Sequence, residues 1–464
     1  MNYLAHPTQS VAIIGGGASG VLLAAQLLRD PATDVLVTLI EKAPSFGRGL
    51  AYGTPNPEHV LNIPARGMSA FPDDPDHFLR WLRARDETAD PDAFPPRSHY
   101  GHYLAALLSE ADDGAPRSRL TLVRDLATDL EEQEHGVLVR LASGGAVLAH
   151  AAVLAVGHEE RQIRGRAIAV RAGSTADTLL DPEAPVMVLG SGLSMVDAWL
   201  TLASRNHRGP IHVVSRHGFL PQRHEKTEPL AIAAEEVPFG ASTARFARWF
   251  VGKVRHAVAA GGDWRGVVDG LRPHNQRIWQ SWSTPDRRRF LRYVRPLWNI
   301  HRHRLPPALH DRLVAAVESG QITLIAGEFL DVVRDGDAVV ATLRRRGRTE
   351  IEEMRVARVY DCGGVAVNVA SSSNRLIQGL VGAGRARPDP LRIGLDVTQG
   401  CALIDSAGIA SERLFAIGPL TRSTFFEVES VPEIRVQAAR LAERLLAVPP
   451  ASWNEGRHSA VGFS

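Results

Sequence analysis

Cysteine is nearly missing from this chain of 464 residues: Cys362 and Cys401 stand alone, with no CxxC pair. Two thiols so far apart in sequence exclude a disulfide-stapled scaffold and a vicinal dithiol redox centre, and such sparse usage fits a reducing, cytoplasmic compartment. Lysine is scarce too. Lys42, Lys226 and Lys253 are the only lysines among 53 basic residues, so arginine supplies nearly all the positive charge. With 51 acidic residues the formal net charge is +2, which predicts no nucleic acid or other strongly charged partner. No apolar run approaches the roughly 18 residues of a membrane helix. Met1 to Ser10 lacks the charged start and apolar stretch of an export leader. No spacing of His, Cys and Asp suggests a metal. What remains is a globular chain, 44% hydrophobic, long enough for two or three domains.

Glycine is placed to do specific work. The stretch Val11-Ala12-Ile13-Ile14-Gly15-Gly16-Gly17-Ala18-Ser19-Gly20-Val21-Leu22-Leu23 runs a buried strand through a glycine turn straight into an apolar helix. In the GxGxxG arrangement Gly15 makes the tight turn, Gly17 lets backbone approach a pyrophosphate, and Gly20 lets helix and strand pack closely. The helix start presents free N–H groups and partial positive charge to the phosphates. A second strand, Val35-Leu36-Val37-Thr38-Leu39-Ile40, ends in Glu41, about 20 residues past the last glycine, where an acid receives a ribose 2′-OH. These features together predict a dinucleotide site.

Beyond Glu41 lies a segment rich in Gly, Pro, Asn and Asp. It contains Gly47-Arg48-Gly49-Leu50-Ala51-Tyr52-Gly53 and then Val60-Leu61-Asn62-Ile63-Pro64-Ala65-Arg66-Gly67-Met68-Ser69. It is either a wrap around the ligand, with Arg48 and Arg66 near phosphate or substrate, or a surface loop. Helical spacing returns around 76–82 and 101–108, and Thr121-Leu122-Val123 with Val137-Leu138-Val139-Arg140-Leu141 predicts a small antiparallel layer. Ala152-Val153-Leu154-Ala155-Val156-Gly157-His158 reads as a returning central strand.

The pattern then repeats. Val186-Met187-Val188-Leu189-Gly190-Ser191-Gly192-Leu193-Ser194-Met195 gives strand, glycine turn and helix, with Met195 at the third glycine position. Ile211-His212-Val213-Val214 is its second strand, 322–325 with 339–343 a second meander, and Ala357-Arg358-Val359-Tyr360-Asp361-Cys362-Gly363-Gly364 its returning strand. The second strand ends in Ser215-Arg216-His217, suited to a 2′-phosphate, which predicts NADP(H) in preference to NAD(H). Residues 218–304 form an insertion of helical periodicity holding Trp249, Trp264, Trp279, Trp282 and Trp298, expected to be core. Such an insertion suits a lid or an interface, homodimeric interfaces included. Arg413-Leu414-Phe415-Ala416-Ile417-Gly418-Pro419 is a late strand ending in glycine, and a helix follows from Val431.

A Glu41-type first site, an Arg216-type second site and a late glycine strand resemble the two-dinucleotide-binding flavoproteins. The resemblance implies an α/β fold of two Rossmann-like domains, the NAD(P)H domain inserted into the FAD domain, plus the helical insertion. Its boundaries would be 1–180 and 366–464 for the two parts of the FAD domain and 181–365 for the NAD(P)H domain. The implied FAD contacts are Gly15, Gly17, Ala18, Ser19, Gly20, Glu41, Lys42, Arg48, Asn62, Met68, Gly157, Gly418 and Pro419. The implied NADPH or NADH contacts are Gly190, Gly192, Ser194, Ser215 and Arg216. Gly190-Ser191-Gly192-Leu193-Ser194 also looks like the second glycine motif of flavin monooxygenases that act through a C4a-hydroperoxide, although their fuller signature is absent.

A narrower resemblance is to bacterial FAD/NAD(P)-binding proteins marked by G-R-G-L-A-Y-G-T, here 47–54, and N-(I/V)-P-A-x-x-M-S, here 62–69. They share H-R-H-R-x-P-P, here 301–307, and G-P-L-T-R, here 418–422. This group is similar to FAD-dependent urate hydroxylase. That implies molecular oxygen and a small, anionic, nitrogen-containing substrate. Candidate groups beside the flavin are Arg422, Glu427 and His303. Arg295, His301, Arg302, His303 and Arg304 either clamp an anion or mark a domain interface. The rival readings are a flavin reductase or oxidase without oxygen insertion, and a non-catalytic nucleotide sensor.

Overall fold

The computed structural model describes residues 9–111, 118–158, 180–363 and 368–447, with the backbone of 169–170. Residues 1–8 of the start read as lacking an export leader, Gly364 and the expected domain seam after 365 lie outside these. Among the described residues no helix is long and apolar enough to cross a membrane.

The strand Gln9–Ile14 runs parallel to Val35–Ile40 on one side and to Ala151–Leu154 on the other. Its run of Val, Ala and Ile has no polar residue in its last four positions, all buried, as in a sheet covered on both faces. The full order is Ala402–Ile404, Ala410–Ala416, Ala151–Leu154, Gln9–Ile14, Val35–Ile40, Leu120–Val123, parallel except at the Ala402–Ile404 edge. Helix Ala18–Leu28 is buried almost throughout and packs against Arg97–Ala111 and Val431–Ala447. Helix Arg97–Ala111 turns Tyr100, Tyr103, Leu104, Leu107 and Leu108 inward, the i, i+3, i+4 stripe of a helix lying on a core. The last helix thereby ties the end of the chain to its beginning.

The second sheet repeats the order of the first. Ile322–Asp335, Ile211–Ser215, Val186–Leu189, Arg358–Asp361 and Ala169–Val170 lie side by side, with Ala338–Arg345 and Ile351–Val356 added beyond Ile322–Asp335. Both copies depart from the expected antiparallel layers in the same way. Leu120–Val123 is a parallel edge strand of the main sheet, while the antiparallel layer is Ala127–Gln133, Gly136–Leu141 and Ala146–Ala149. In the second copy one 14-residue strand serves both purposes: Ile322 to Ala326 pair in parallel with Ile211–Ser215, and Gly327 onward pairs antiparallel with Ala338–Arg345. Alternating side chains specify a half-buried strand without saying whether its partner runs up or down.

The insertion begins as extended chain and continues as helices Thr243–Ala259, Trp264–Leu271, Asn275–Ser281, Thr284–Arg289 and Arg295–Arg302, with a π-helical turn at Phe290–Val294. Trp279, Trp282 and Trp298 are buried in a core shared with Ile393, against which Phe426 packs. Trp279 stacks on Phe426 at 4.9 Å between ring centroids, and its indole N–H donates to the Ser423 carbonyl at 2.7 Å. The insertion is therefore joined to the last segment of the chain by aromatic packing. The expectation that its tryptophans form core holds for these three.

A Cβ at Gly20 would lie 1.9 Å from the Gly15 carbonyl oxygen, whereas one at Gly192 would meet nothing within 4 Å. Gly20→Ala is accordingly expected to destabilise the fold by about 1–3 kcal/mol, seen as a lower urea midpoint at unchanged slope. Gly192→Ala should unfold at the wild-type midpoint.

Candidate functional site

The two glycine turns superpose in their chemistry. Gly15 (φ +111°) donates to the Ile40 carbonyl at 2.8 Å, and Gly190 (φ +95°) donates to the Val214 carbonyl at 2.8 Å. A Cβ at either would stand 2.4 Å from a carbonyl of the returning segment, Ala155 in the first copy and Cys362 in the second. Each turn then extends into its helix through an uncapped glycine: Gly17 (ψ −168°) precedes Ala18, and Gly192 (ψ −165°) precedes Leu193. With no side chain capping either start, the first-turn N–H groups face outward with the helix dipole behind them, as an anionic ligand requires. A Cβ at Gly17 would touch only the Gly49 Cα, at 3.8 Å, and one at Gly157 would meet nothing within 4 Å. The residues present thus fit a pyrophosphate at each turn.

The copies differ at the third glycine position. Gly20 packs on Gly15, but Met195 is fully buried and its helix opens with Met195 N–H and Val196 N–H both directed at the Gly192 carbonyl, at 3.0 and 3.4 Å. A side chain there keeps the helix further from the turn, and the first bond is shared between i+3 and i+4 donors.

Glu41 accepts Gly16 N–H on one oxygen (2.7 Å) and Ala43 N–H on the other (2.8 Å), so each oxygen keeps a lone pair for a sugar diol. In the second copy Ser215 takes this place: its Oγ is hydrogen-bonded to Ser191 Oγ at 2.9 Å and accepts Gly218 N–H at 3.0 Å. Arg216 follows, exposed. His217 stacks on Phe219, and Arg346 donates to its Nδ1 at 3.1 Å. Burial, then Arg346 and Arg216, hold the His217 pKa below the ordinary histidine value, so it accepts that bond as neutral imidazole.

The remaining expected contacts are dispersed. Ser19 is buried against Gly418, whose φ of +74° and 2.4 Å from a would-be Cβ to Ser19 Oγ admit only glycine. Gly418 N–H donates to Gln437 Oε1, and Gln437 donates to Thr421 Oγ1, both at 2.8 Å. This brings Gly418 and the buried Pro419 against the opening turn. Lys42, Arg48 and Ser194 are exposed, and Asn62 is half-buried. Met68 is 1% exposed and packs in the main core. Arg66 pairs with Asp92 at 2.5 Å.

Arg422 and Glu427 have their charges already engaged by other residues. Glu427, at φ +65°, receives Asn275 Nδ2 at 2.9 Å, the Trp298 indole N–H, and Arg302 Nε at 3.3 Å in a pair whose side chains are each 6% exposed. Arg302 also reaches Glu433, and Arg304 grips Asp269 through both carboxylate oxygens. Arg422 pairs with Glu429 at 2.8 Å and donates to the Ile393 carbonyl. Burial, then Arg302, lowers the His303 pKa, so it is neutral. The basic run at 295–304 is therefore chiefly an interface between the insertion and the last segment, with Arg295 as its exception.

Residues missed in the sequence join the two sheets' domains. His59 bridges Thr54 Oγ1 (2.8 Å) and the Asp197 carbonyl (2.9 Å), while Arg97 pairs with the Asp197 carboxylate at 2.6 Å and donates to the Val60 carbonyl at 3.0 Å. The Gly- and Pro-rich segment is thus a strap onto the second nucleotide helix, Leu193–Ser204. The one signal available was an acidic residue, Asp197, in an apolar helix.

Residues 12–159 match the protein family described as FAD-NAD(P)-binding, and the first domain is an FAD/NAD(P)-binding domain. No curated protein matches the sequence. Among solved structures, L-lysine 6-monooxygenase from Pseudomonas syringae aligns at TM-score 0.64 and 16% identity, over 94% of this chain and 98% of that one. Ornithine N-hydroxylase from Kutzneria sp. 744, with reduced FAD, NADP+ and ornithine, aligns at 0.61 and 15%, over 95% and 99%. Thioredoxin reductase from Lactococcus lactis aligns at 0.53 and 11%, over 94% and 99%. The whole α/β architecture is that of these flavoproteins.

Burial alone would push the Glu427 carboxyl up, but Arg302 and the bonds from Trp298 and Asn275 hold it below the usual carboxylate range. A depressed folded pKa means stability that is present above the unfolded value of about 4.3 and lost as pH falls through the folded one. Glu427→Gln is expected to cost up to about 3 kcal/mol near neutral pH, the low end for a broken buried pair because Arg302 keeps Glu433. In urea titrations the gap to wild type should close as pH drops below about 4.3.

Proposed function

We propose that this protein is an FAD-dependent NAD(P)H monooxygenase that hydroxylates a small nitrogen-containing substrate, with small amines and urate-like purines as candidates. The observation that carries the proposal is the pair of uncapped glycine turns, chemically alike and in sheets of the same order, within one chain. The first would hold FAD through Gly15, Gly17, Ala18, Ser19 and Glu41. The second would hold NADPH through Gly190, Gly192, Ser194, Ser215 and Arg216. Bound FAD supplies two-electron chemistry with the nicotinamide and with molecular oxygen.

The chain's own work is positional. Backbone N–H groups at both helix starts neutralise phosphate, and the Glu41 lone pairs take the ribose diol. Arg216 forks onto a 2′-phosphate. The aromatic layer of Trp279, Trp298 and Phe426 keeps water from the side where the insertion meets the last segment. Arg422 and Glu427 are positioning residues on this reading, since Arg422 is held by Glu429 and the Ile393 carbonyl, and Glu427 by Asn275, Trp298 and Arg302 of the insertion.

Two neighbours are named for N-hydroxylation or amine oxygenation, and their TM-scores exceed that of the reductase. A dithiol reductase reading is disfavoured by the cysteines themselves: burial pushes the Cys401 thiol up to about 12, and the Cys362 thiol donates to the Ser194 carbonyl at 3.3 Å. Two reduced cysteines also suit a cytoplasmic setting.

The test is coupling. FAD-loaded protein should oxidise NADPH and, with the correct amine or purine, convert it to oxygenated product with a matching fall in hydrogen peroxide. Peroxide equal to NADPH consumed whatever compound is added would make it an oxidase. Arg216→Ala should raise KM for NADPH about tenfold and leave that for NADH unchanged.

A further inference from the structure

A single segment of the first domain, residues 47–97, reaches from one glycine turn to the other. It starts on the first turn, where Gly47 N–H donates to the Gly16 carbonyl at 2.7 Å. It ends on helix Leu193–Ser204, which begins at Gly192 of the second turn. There Asp197, in the helix's second turn, is held at two places: its carboxylate pairs with Arg97 at 2.6 Å, and its carbonyl lies 2.9 Å from His59 Nε2. A carbonyl only accepts, so the proton of that bond sits on Nε2, and Nδ1 faces Thr54 Oγ1 at 2.8 Å. Arg97 is fastened to the same segment, its Nε donating to the Val60 carbonyl at 3.0 Å and its backbone N–H to the His59 carbonyl at 2.8 Å. His59 is buried, and the Arg97–Asp197 pair is mostly shielded from water.

Two further contacts keep this grip from acting as a pivot. Glu58 pairs with Arg312 of helix Pro307–Glu318 at 3.1 Å, and the Arg312 guanidinium lies over the Trp199 ring, 5.8 Å from its centroid. Asp92 pairs with Lys226 at 2.7 Å, and Phe94 meets the His224 ring edge-on at 5.1 Å between centroids, both at the extended start of the insertion. Backbone bonds join the two limbs of the segment, Leu61 N–H to the Pro95 carbonyl and Ala65 N–H to the Ala93 carbonyl, each at 2.9 Å. The outer pairs are exposed and add little stability. What polar contacts to three elements supply is orientation, since a single point of attachment would allow rotation about itself.

We infer that Arg97, Asp197 and His59 are positioning residues for electron transfer between the two nucleotides: through helix Leu193–Ser204 they set where the second glycine turn stands relative to the first. The inference rests on the reading that these turns hold FAD and NADPH, and not on oxygen insertion. In the step they serve, NADPH gives up a hydride and becomes NADP+, and FAD takes that hydride with one solvent proton to become FADH2. Nothing in it calls on these three side chains as acid, base or nucleophile. Their effect is on approach, and a misplacement of about 1 Å costs about a hundredfold in rate. The signature is therefore a loss of rate with nucleotide affinity kept.

FAD-loaded Arg97→Met, Asp197→Asn and the double variant are mixed with NADPH without oxygen, and flavin bleaching is followed by stopped flow. Each single variant should lower the limiting reduction rate at least about tenfold, with the dissociation constant for NADP+ within about twofold of wild type. The double variant should be no slower than the slower single one, because the pair acts as a unit, and Arg97→Lys should recover part of the rate. Dithionite-reduced protein saturated with NADP+ gives a reading without turnover: the long-wavelength absorbance of nicotinamide stacked on flavin should be weaker in both single variants. If either variant does not fold, Thr54→Val, which removes only the hydroxyl facing His59, carries the test in smaller measure. Unchanged reduction rates overturn the inference, as does a rate loss matched by weaker NADP+ binding, which would make these residues nucleotide contacts. Losses that multiply in the double variant overturn it too. A preparation that takes up no FAD overturns this inference together with the nucleotide reading, whereas a failure of oxygen insertion alone shows only in the coupling assay.

Discussion

A strand can pass directly into a helix only if the turn between them brings backbone against backbone, and that constraint governs this molecule twice. At Gly15 and again at Gly190 the chain adopts positive φ with a carbonyl of the returning segment 2.4 Å from where a Cβ would be. No L side chain fits. Because the turn is locked between the second strand on one side and the returning segment on the other, the helix that follows is aimed with its unpaired N–H groups outward. Glu41 and Ser215 sit beside these turns, and Gly418 closes on Ser19 in the helix that follows the first.

Between these two rigid frames the chain relies on a different kind of contact. The strap through His59 and Arg97 meets the second nucleotide helix by hydrogen bonds and one partly buried ion pair, while the insertion meets the last segment through stacked aromatics and the Arg302 pairs. Glu427 holds positive φ in a residue with a side chain, a conformation costing about 1–3 kcal/mol that persists only where the surroundings impose it. Three side chains converge on its carboxylate and impose it. The charges of this region therefore orient elements, and a polar interface of this size specifies a unique docking more than it adds stability.

The glycine turns, both second strands, the acidic end of the first and the arginine end of the second were legible because each rests on local backbone chemistry. So was the burial of Trp279, Trp282 and Trp298. Strand direction was not, and Leu120–Val123 and the long strand from Ile322 show why: alternation reports faces, and partner choice is set by distant residues. The burial of Met68 was not legible either, because a short motif does not say which of its side chains points to the core. His59 and Arg97 were invisible, since they gain meaning only when residues a hundred or more positions apart are brought together.

The basic run at 295–304 shows how structure divides what composition lumps. Read as sequence, five cations in ten residues are equivalent, either a clamp or an interface. In the fold, carboxylates from the same insertion and from the last segment claim Arg302 and Arg304, and burial neutralises His303. Among the described residues, the carboxylates that act on Arg295 are Glu429 and Glu427, which Arg422 and Arg302 already hold. Arg302 and Arg304 therefore act as struts between elements, and their charge is spent on the fold.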